Sequence, residues 1–228
     1  MAIRNVLSRS RLTNRHLIRT PKSTKPVACE STLERNVALW IDFSSCVACY
    51  EEQPAVIHFE VDGTPARTIP DFLLTFVDGT QAYVEVKYAK EAQKKARRLS
   101  AIGSALAEHY NMAYWVVTEA TIRNEKVVIE NCSYFQKFVT LDDDRLAELE
   151  RVAADLPAHP FLLSDLIGLC DSDTTALELI ANQFVFHDFS QFIAINSPLC
   201  QAGDSDYQYF NDVWESQKQF VYLSEEKQ

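Results

Sequence analysis

Residues 69–74 (IPDFLL) and residues 83–87 (YVEVK) decide the predicted fold and carry its chemistry. Both stretches have strand patterns and are joined by a glycine turn, which predicts an antiparallel hairpin. In such a hairpin Asp71 and Glu85 come close to one another near the open end. Glu85 and Lys87 stand two apart on one strand, so their side chains project from the same face.

Two carboxylates and an ammonium on one face suit metal-assisted hydrolysis of a phosphodiester bond. Carboxylates bind a hard divalent ion such as Mg²⁺, which neutralises the scissile phosphate and lowers the pKa of an attacking water. Lys87 can orient or deprotonate that water and balance charge in the transition state. Taken singly, Asp71 also fits a strand-edge acid and Lys87 a surface lysine, so only the three residues together indicate a nuclease.

Further elements are predicted on both sides of this hairpin. A first helix begins at Ser31, because Ser31 and Glu34 fit a capping box before apolar residues at helical spacing. A long helix and a buried strand follow the hairpin, which suggests a crossover and a mixed sheet. The predicted elements are helix 31–43, a three-stranded meander of 56–61, 67–76 and 81–87, helix 90–110 and strand 113–118.

The charges are distributed unevenly along the chain, whose net charge is -10. Residues 141–228 hold 17 acidic and 4 basic side chains, whereas residues 1–140 hold 15 acidic and 18 basic ones. We expect a phosphate-binding surface in the first part, although a basic helix is also typical of a solvated face. The candidate DNA-binding residues are Lys90, Lys94, Lys95, Arg97 and Arg98.

Several classes of protein and site are disfavoured by composition. No stretch approaches the roughly 18 apolar residues of a membrane helix, and the N-terminus lacks the apolar core of a signal peptide, so we expect an intracellular protein. Cys46 and Cys49 have zinc-knuckle spacing but no second pair of ligands, and the five histidines show no metal spacing. With only five glycines and no phosphate loop, any ATPase must be another protein.

At Pro70-Asp71 and Glu85-Val86-Lys87 the chain resembles the PD-(D/E)xK nuclease superfamily. Residues 28–35 (ACESTLER), followed by a helix, and residues 50–54 (YEEQP), before a strand, resemble the TnsA family of transposon endonucleases. The resemblance covers about residues 28–90. It implies a restriction-endonuclease-like fold, in which helices flank a mixed β-sheet.

The resemblance also implies a complete site and a set of partners. An acid on the first helix would join Asp71 and Glu85 in binding Mg²⁺, or Mn²⁺ in its place; Glu34 is the first choice and Glu30 the alternative. Gln53 would support the site. TnsA-like proteins cut the 5′ strands of double-stranded DNA at transposon ends, while a TnsB-type transposase acts on the 3′ ends. They contact a TnsC-type AAA+ regulator and act in the bacterial cytoplasm.

Three regions are predicted: a basic arm (1–27), the endonuclease domain (28–140) and an acidic C-terminal domain (141–228). We expect the C-terminal domain to be a winged helix or a small helical docking domain, and its acidity favours binding protein over DNA. Its predicted elements are helices 142–156, 161–170 and 174–184 and a hairpin of 184–186 with 192–195.

Two other functions remain open from the sequence. The chain could be a stand-alone restriction or repair nuclease of the same fold, which would cut without a transposase. It could also be a non-catalytic, winged-helix DNA-binding regulator. Metal-dependent cutting that depends on Asp71 would exclude the regulator, and dependence on a transposase would separate the two nucleases.

Overall fold

The computed structural model describes residues 16–201, which form two compact units, 16–124 and 125–201. In the first unit the elements are β1 (His16–Ile18), β2 (Val27–Cys29), α1 (Thr32–Phe43), β3 (Val47–Glu52), β4 (Ile57–Val61), β5 (Thr64–Thr68), β6 (Phe72–Phe76), β7 (Gln81–Val86), α2 (Ala89–Lys94), α3 (Ala96–Tyr110), β8 (Ala113–Val117) and α4 (Glu119–Asn124). No helix in the described part of the chain is long and apolar enough to cross a membrane.

The first unit is built on a four-stranded mixed sheet of order β3-β6-β7-β8. β3, β6 and β7 are antiparallel, and β8 lies parallel to β7 after the α2–α3 crossover. Residues 82–86 of β7 are all buried, as expected for a strand that is covered on both faces. Helix α3 packs on the face that carries Tyr83 and Tyr114, and α1 also contacts β7. The predicted fold class, a mixed sheet flanked by helices, is therefore confirmed.

The predicted three-stranded meander is wrong in two respects. β4 and β5 form a separate two-stranded hairpin, closed by Asp62 and Gly63 with φ of 51° and 74°. The predicted strand 67–76 breaks around Pro70, which has no N–H to donate to a sheet. β3 was not predicted, because a register shift between Val47 and Cys49 interrupts its alternation of buried and exposed residues.

The helices of the first unit agree with the prediction better than the strands do, except that one predicted helix is divided in two. Helix α1 begins where predicted, with the Ser31 hydroxyl accepting a hydrogen bond from the Glu34 N–H at 3.1 Å. The predicted helix 90–110 is two helices that meet at Lys95. α3 buries an apolar stripe that includes Leu99 and Leu106, whereas α2 buries no residue and left no pattern from which to detect the break.

The first 15 residues of the predicted basic arm lie outside the described residues. The rest of the predicted arm, residues 16–27, is part of the fold. β1 and β2 form an antiparallel pair, and this pair contacts α1 and β3. Within it the Lys22 ammonium donates to the Ser44 carbonyl at 2.6 Å. Lys22 is therefore engaged with the protein.

The second unit contains α5 (Lys126–Phe135), a 3₁₀ turn (Gln136–Phe138), α6 (Asp143–Ala154), β9 (Phe161–Leu162), α7 (Leu163–Leu169), α8 (Asp173–Ala181), β10 (Val185–Phe186) and β11 (Pro198–Gln201). Its compact part begins at Glu125, whereas the sequence placed the boundary after residue 140. The reason is that α5 packs within this unit: Phe135 stacks on Phe189, and the Asn131 amide donates to the carbonyls of Phe189 and Gln191.

The three short strands of the second unit form one antiparallel sheet of order β10-β11-β9. The predicted pairing of 184–186 with 192–195 is wrong, because β10 pairs with β11 and Phe192 and Ile195 are exposed in the intervening loop. From α6 onward, the order of elements is helix, strand, helix, helix, strand, strand. The assignment of a winged helix stays a prediction.

Candidate active site

The register of the central sheet brings Asp71 and Glu85 together. β6 pairs Phe72 with Val84, and the next pair in that register is Asp71 with Glu85. Asp71 Oδ2 accepts a hydrogen bond from the Val86 N–H at 2.7 Å. One carboxylate oxygen thus links the start of β6 to the end of β7 and orients the Asp71 side chain.

Lys87 contacts both carboxylates. Its ammonium lies 2.6 Å from Glu85 Oε1 and 3.5 Å from Asp71 Oδ2, and it donates to the Val86 carbonyl at 3.1 Å. Glu85 is 6% exposed, whereas Asp71 and Lys87 are half-buried. The structure therefore brings together the three residues predicted from the hairpin.

Burial sets the electrostatics of this trio. Burial raises the pKa of Asp71, and burial together with the Asp71 charge raises the pKa of Glu85. The ammonium groups of Lys87 and Lys95 act in the opposite direction on the pKa of Glu85. Burial alone would lower the pKa of Lys87, but Asp71 and Glu85 raise it, so this lysine is held as a cation.

The two candidate helix acids both lie near Asp71 and differ in their hydrogen bonds. The Glu34 carboxylate accepts from the Glu30 N–H at 2.7 Å and from the Ser31 hydroxyl at 3.0 Å, which is a capping role. Burial raises the pKa of Glu34, and the Asp71 charge adds to the effect. The Glu30 charge in turn adds to the raised pKa of Asp71. Which of the two acids completes the site stays a prediction.

Gln53 directly follows β3 and lies next to Asp71, which directly precedes β6. Its N–H donates to the Asp71 carbonyl at 2.9 Å, and its φ is 43°, in the left-handed region that non-glycine residues seldom adopt. Its side-chain oxygen is buried and has no hydrogen-bond partner within residues 16–201. The Gln53 backbone thus holds the Asp71 backbone in place, and support of the site by the Gln53 side chain stays a prediction.

The Asp71 and Glu85 carboxylates match the oxygen ligands that Mg²⁺ prefers, although they are only two. Within residues 16–201, no three side chains of His, Cys, Asp or Glu form a group arranged to hold a metal ion. Glu85 Oε2, however, is buried and lacks a hydrogen-bond partner in the same range. A buried carboxylate oxygen is costly unless a donor or a cation meets it, and Mg²⁺ prefers such oxygens. Asp71 and Glu85 therefore fit such an ion.

Residues 44–119 match the model of the family described as TnsA-like endonuclease N terminal. This match confirms the resemblance to TnsA-type endonucleases and supports a nuclease of that family. Asp71, Glu85 and Lys87 lie inside the matched range, whereas Glu30 and Glu34 precede it. No curated protein matches the chain.

Four of the five predicted DNA-binding residues of the TnsA-like region are exposed. Lys90 and Lys94 lie on α2, Lys95 lies at its junction with α3, and Arg97 follows in the first turn of α3. Arg97 lies 3.7 Å from Asp62, but both side chains are so exposed that solvent screens the pair. These side chains are available to a phosphate backbone beside the Glu85–Lys87 strand.

Arg98 has a different environment from the other four. Its guanidinium lies 4.9 Å from the centre of the Phe59 ring and donates to the Arg67 carbonyl at 2.7 Å. Both contacts attach α3 to the β4–β5 hairpin. Arg98 therefore contributes to packing, and its contact with DNA stays a prediction.

One residue of the TnsA-like region near the site was missed. Tyr114 is buried on β8, and its hydroxyl lies beside the Glu85 carboxylate. The sequence identified residues 113–118 only as a buried strand. The neighbour relation depends on the parallel register of β7 and β8, which a single sequence does not specify.

Proposed function

We propose that this protein is the Mg²⁺-dependent endonuclease subunit of a cut-and-paste transposition system. It cuts the 5′ strands at the ends of the element, beside a separate transposase. The observation that carries the proposal is the contact of Lys87 with both Asp71 and Glu85 inside the TnsA-like region. In PD-(D/E)xK nucleases this trio has the chemistry that DNA hydrolysis requires.

Each residue of the trio has a role in the proposed reaction. Asp71 and Glu85 would hold Mg²⁺, with Glu34 or Glu30 as the third acid. When bound, this ion would neutralise charge on the scissile phosphate and lower the pKa of a water. Lys87 donates hydrogen bonds from a protonated ammonium, because two carboxylates raise its pKa. That state suits orienting the attacking water and stabilising negative charge better than removing a proton.

The exposed lysines of α2 and of the α2–α3 junction support the proposal that DNA binds beside the trio. Lys90, Lys94 and Lys95 follow the Glu85–Lys87 strand directly and are exposed. Lys95 is close enough to affect the pKa of Glu85. Phosphate contacts of this kind position a duplex without reading its sequence, so the proposed subunit takes its specificity from partners.

We further propose that the second unit binds protein partners, namely the TnsB-type transposase or the TnsC-type regulator. From α6 onward its order of helices and strands is compatible with the proposed winged helix, a fold in which the second helix of the helix-turn-helix reads DNA. In that position α8 carries no Lys or Arg, and of its two acids Glu178 is paired with Arg145 of α6 and Asp173 is exposed. A recognition helix without a basic residue offers no cation to phosphate, which favours a protein partner.

The test is cleavage of labelled element-end DNA by the full chain with its transposase and Mg²⁺. Asp71→Asn and Lys87→Gln should abolish the 5′-strand cut and leave the 3′-strand cut intact. Asp78→Asn and Lys126→Gln are matched controls, because the same chemical changes fall on exposed residues outside the trio, and they should cut normally. Normal 5′ cutting by Asp71→Asn would refute the site, and cutting without the transposase would support a stand-alone nuclease.

A further inference from the structure

Tyr114 occupies a defined place beside the candidate site. β7 and β8 are parallel, with Tyr83 opposite Tyr114 and Glu85 opposite Val116. Residues paired in this way project from the same face of a sheet, so Tyr114 and Glu85 are diagonal neighbours on the face covered by α3. The chain thus places a phenol next to one of the two carboxylates.

The ring of Tyr114 is held by packing. It is 4% exposed and belongs to a core cluster with Tyr83, Ile102 and Leu106. Helix α3 crosses close above it, since a Cβ at Gly103 would lie 3.6 Å from the ring atom Cδ1. A ring fixed in this way has little freedom to turn its hydroxyl away from the site.

Two buried polar atoms meet where Tyr114 faces Glu85. Lys87 contacts Glu85 Oε1, whereas Glu85 Oε2 has no partner among the described residues, and neither has the Tyr114 hydroxyl. A tyrosine hydroxyl is protonated at neutral pH and can therefore donate a hydrogen bond. A buried donor or acceptor without a partner is destabilising, and one hydrogen bond between these two atoms satisfies both.

We propose that Tyr114 is a positioning residue, whose hydroxyl donates a hydrogen bond to Glu85 Oε2 and holds that carboxylate in the orientation that binds Mg²⁺. This inference rests on the proposed nuclease function. A carboxylate has about four lone-pair sites, so bonds to Lys87 and Tyr114 leave room for an ion. Partners that orient a ligand in this way change metal affinity about 10- to 100-fold.

The experiment compares Mn²⁺ binding, by calorimetry on the full chain, among wild type, Tyr114→Phe and Tyr83→Phe. Tyr114→Phe keeps the packed ring and removes only the hydroxyl. It should weaken Mn²⁺ binding about tenfold and raise the Mn²⁺ concentration for half-maximal cutting equally, with cutting restored at saturating Mn²⁺. Tyr83→Phe makes the same change on the same face of the adjacent strand, and it should leave Mn²⁺ affinity unchanged.

Asp71→Asn separates failure of this inference from failure of the proposed function. If Asp71→Asn weakens Mn²⁺ binding and Tyr114→Phe does not, the role of Tyr114 is refuted and the metal site stands. If Asp71→Asn leaves Mn²⁺ binding unchanged, or the wild type binds none, both the site and the role of Tyr114 are refuted. A Tyr114→Phe protein that loses stability but keeps its Mn²⁺ affinity would show a purely structural tyrosine.

Discussion

Asp71 does two separable things, and two substitutions should separate them. One carboxylate oxygen accepts the Val86 N–H at 2.7 Å and lies 3.5 Å from the Lys87 ammonium. Val86 is 5% exposed, so water cannot replace that acceptor fully. Asp71→Ala removes both the acceptor and the charge, whereas Asp71→Asn removes the charge and keeps an acceptor oxygen.

The expected magnitudes follow from these contacts. Asp71→Ala leaves a buried N–H unpaired, which costs about 1–3 kcal/mol of the free energy of unfolding. Loss of the Asp71–Lys87 attraction adds little, because that contact is long at 3.5 Å and Lys87 keeps its contact with Glu85 at 2.6 Å. Asp71→Asn should therefore lose less than about 1 kcal/mol.

Two measurements test this reasoning. Urea unfolding followed by circular dichroism gives the free energy of unfolding, and end cleavage with the transposase gives activity. Both variants should lose the 5′ cut, and only Asp71→Ala should lose stability. Equal destabilisation by the two substitutions would refute the hydrogen-bond account. An Asp71→Asn protein that still cuts would remove this carboxylate from the chemistry.

Two further predictions concern other acids. Burial raises the pKa of Asp42 from 3.8 to about 6, so folding favours its protonated form. The contribution of Asp42 to the free energy of unfolding should thus fall by up to about 3 kcal/mol as pH rises from about 4 to 6. Urea unfolding of Asp42→Asn should show a pH dependence that is smaller than that of the wild type by this amount. Glu34→Gln keeps an acceptor for the capping hydrogen bonds and removes the charge, so loss of cutting with unchanged stability would identify Glu34 as the helix acid. Loss of cutting with unchanged stability in Glu30→Gln would instead identify Glu30.

The core of the candidate site was predictable because it is local. Asp71, Glu85 and Lys87 lie on two strands joined by a short turn, in which the Asp78 carboxylate accepts from the Thr80 N–H at 2.8 Å. A short turn fixes the register of the strands that it joins, and register decides which side chains meet. The alternation of side chains along a strand then predicted that Glu85 and Lys87 project from the same face.

The parts that the sequence missed depend on non-local pairing. Tyr114 reaches Glu85 only through the crossover that sets β8 beside β7. β3, which leads to Gln53 beside Asp71, was missed because it is an edge strand whose pattern is broken by a register shift, although the resemblance had named Gln53 itself. The choice between Glu34 and Glu30 is undecided for another reason. Glu34 is the candidate metal ligand and also the glutamate of the Ser31–Glu34 capping box, so the sequence pattern fits either role.

The basic residues of α2 and α3 are not all equally available to phosphate, although the sequence alone counts them together. The sequence offers five candidate phosphate contacts, but the Arg98 guanidinium already contacts the Phe59 ring and the Arg67 carbonyl. Lys90, Lys94, Lys95 and the exposed Arg97 then remain. Each phosphate contact contributes a slope of only about -0.9 to the salt dependence of binding, so these contacts would hold DNA weakly at physiological salt. Weak, sequence-independent holding suits a subunit that a transposase positions on the element end, and it would be a handicap for a nuclease that searches for its own sites.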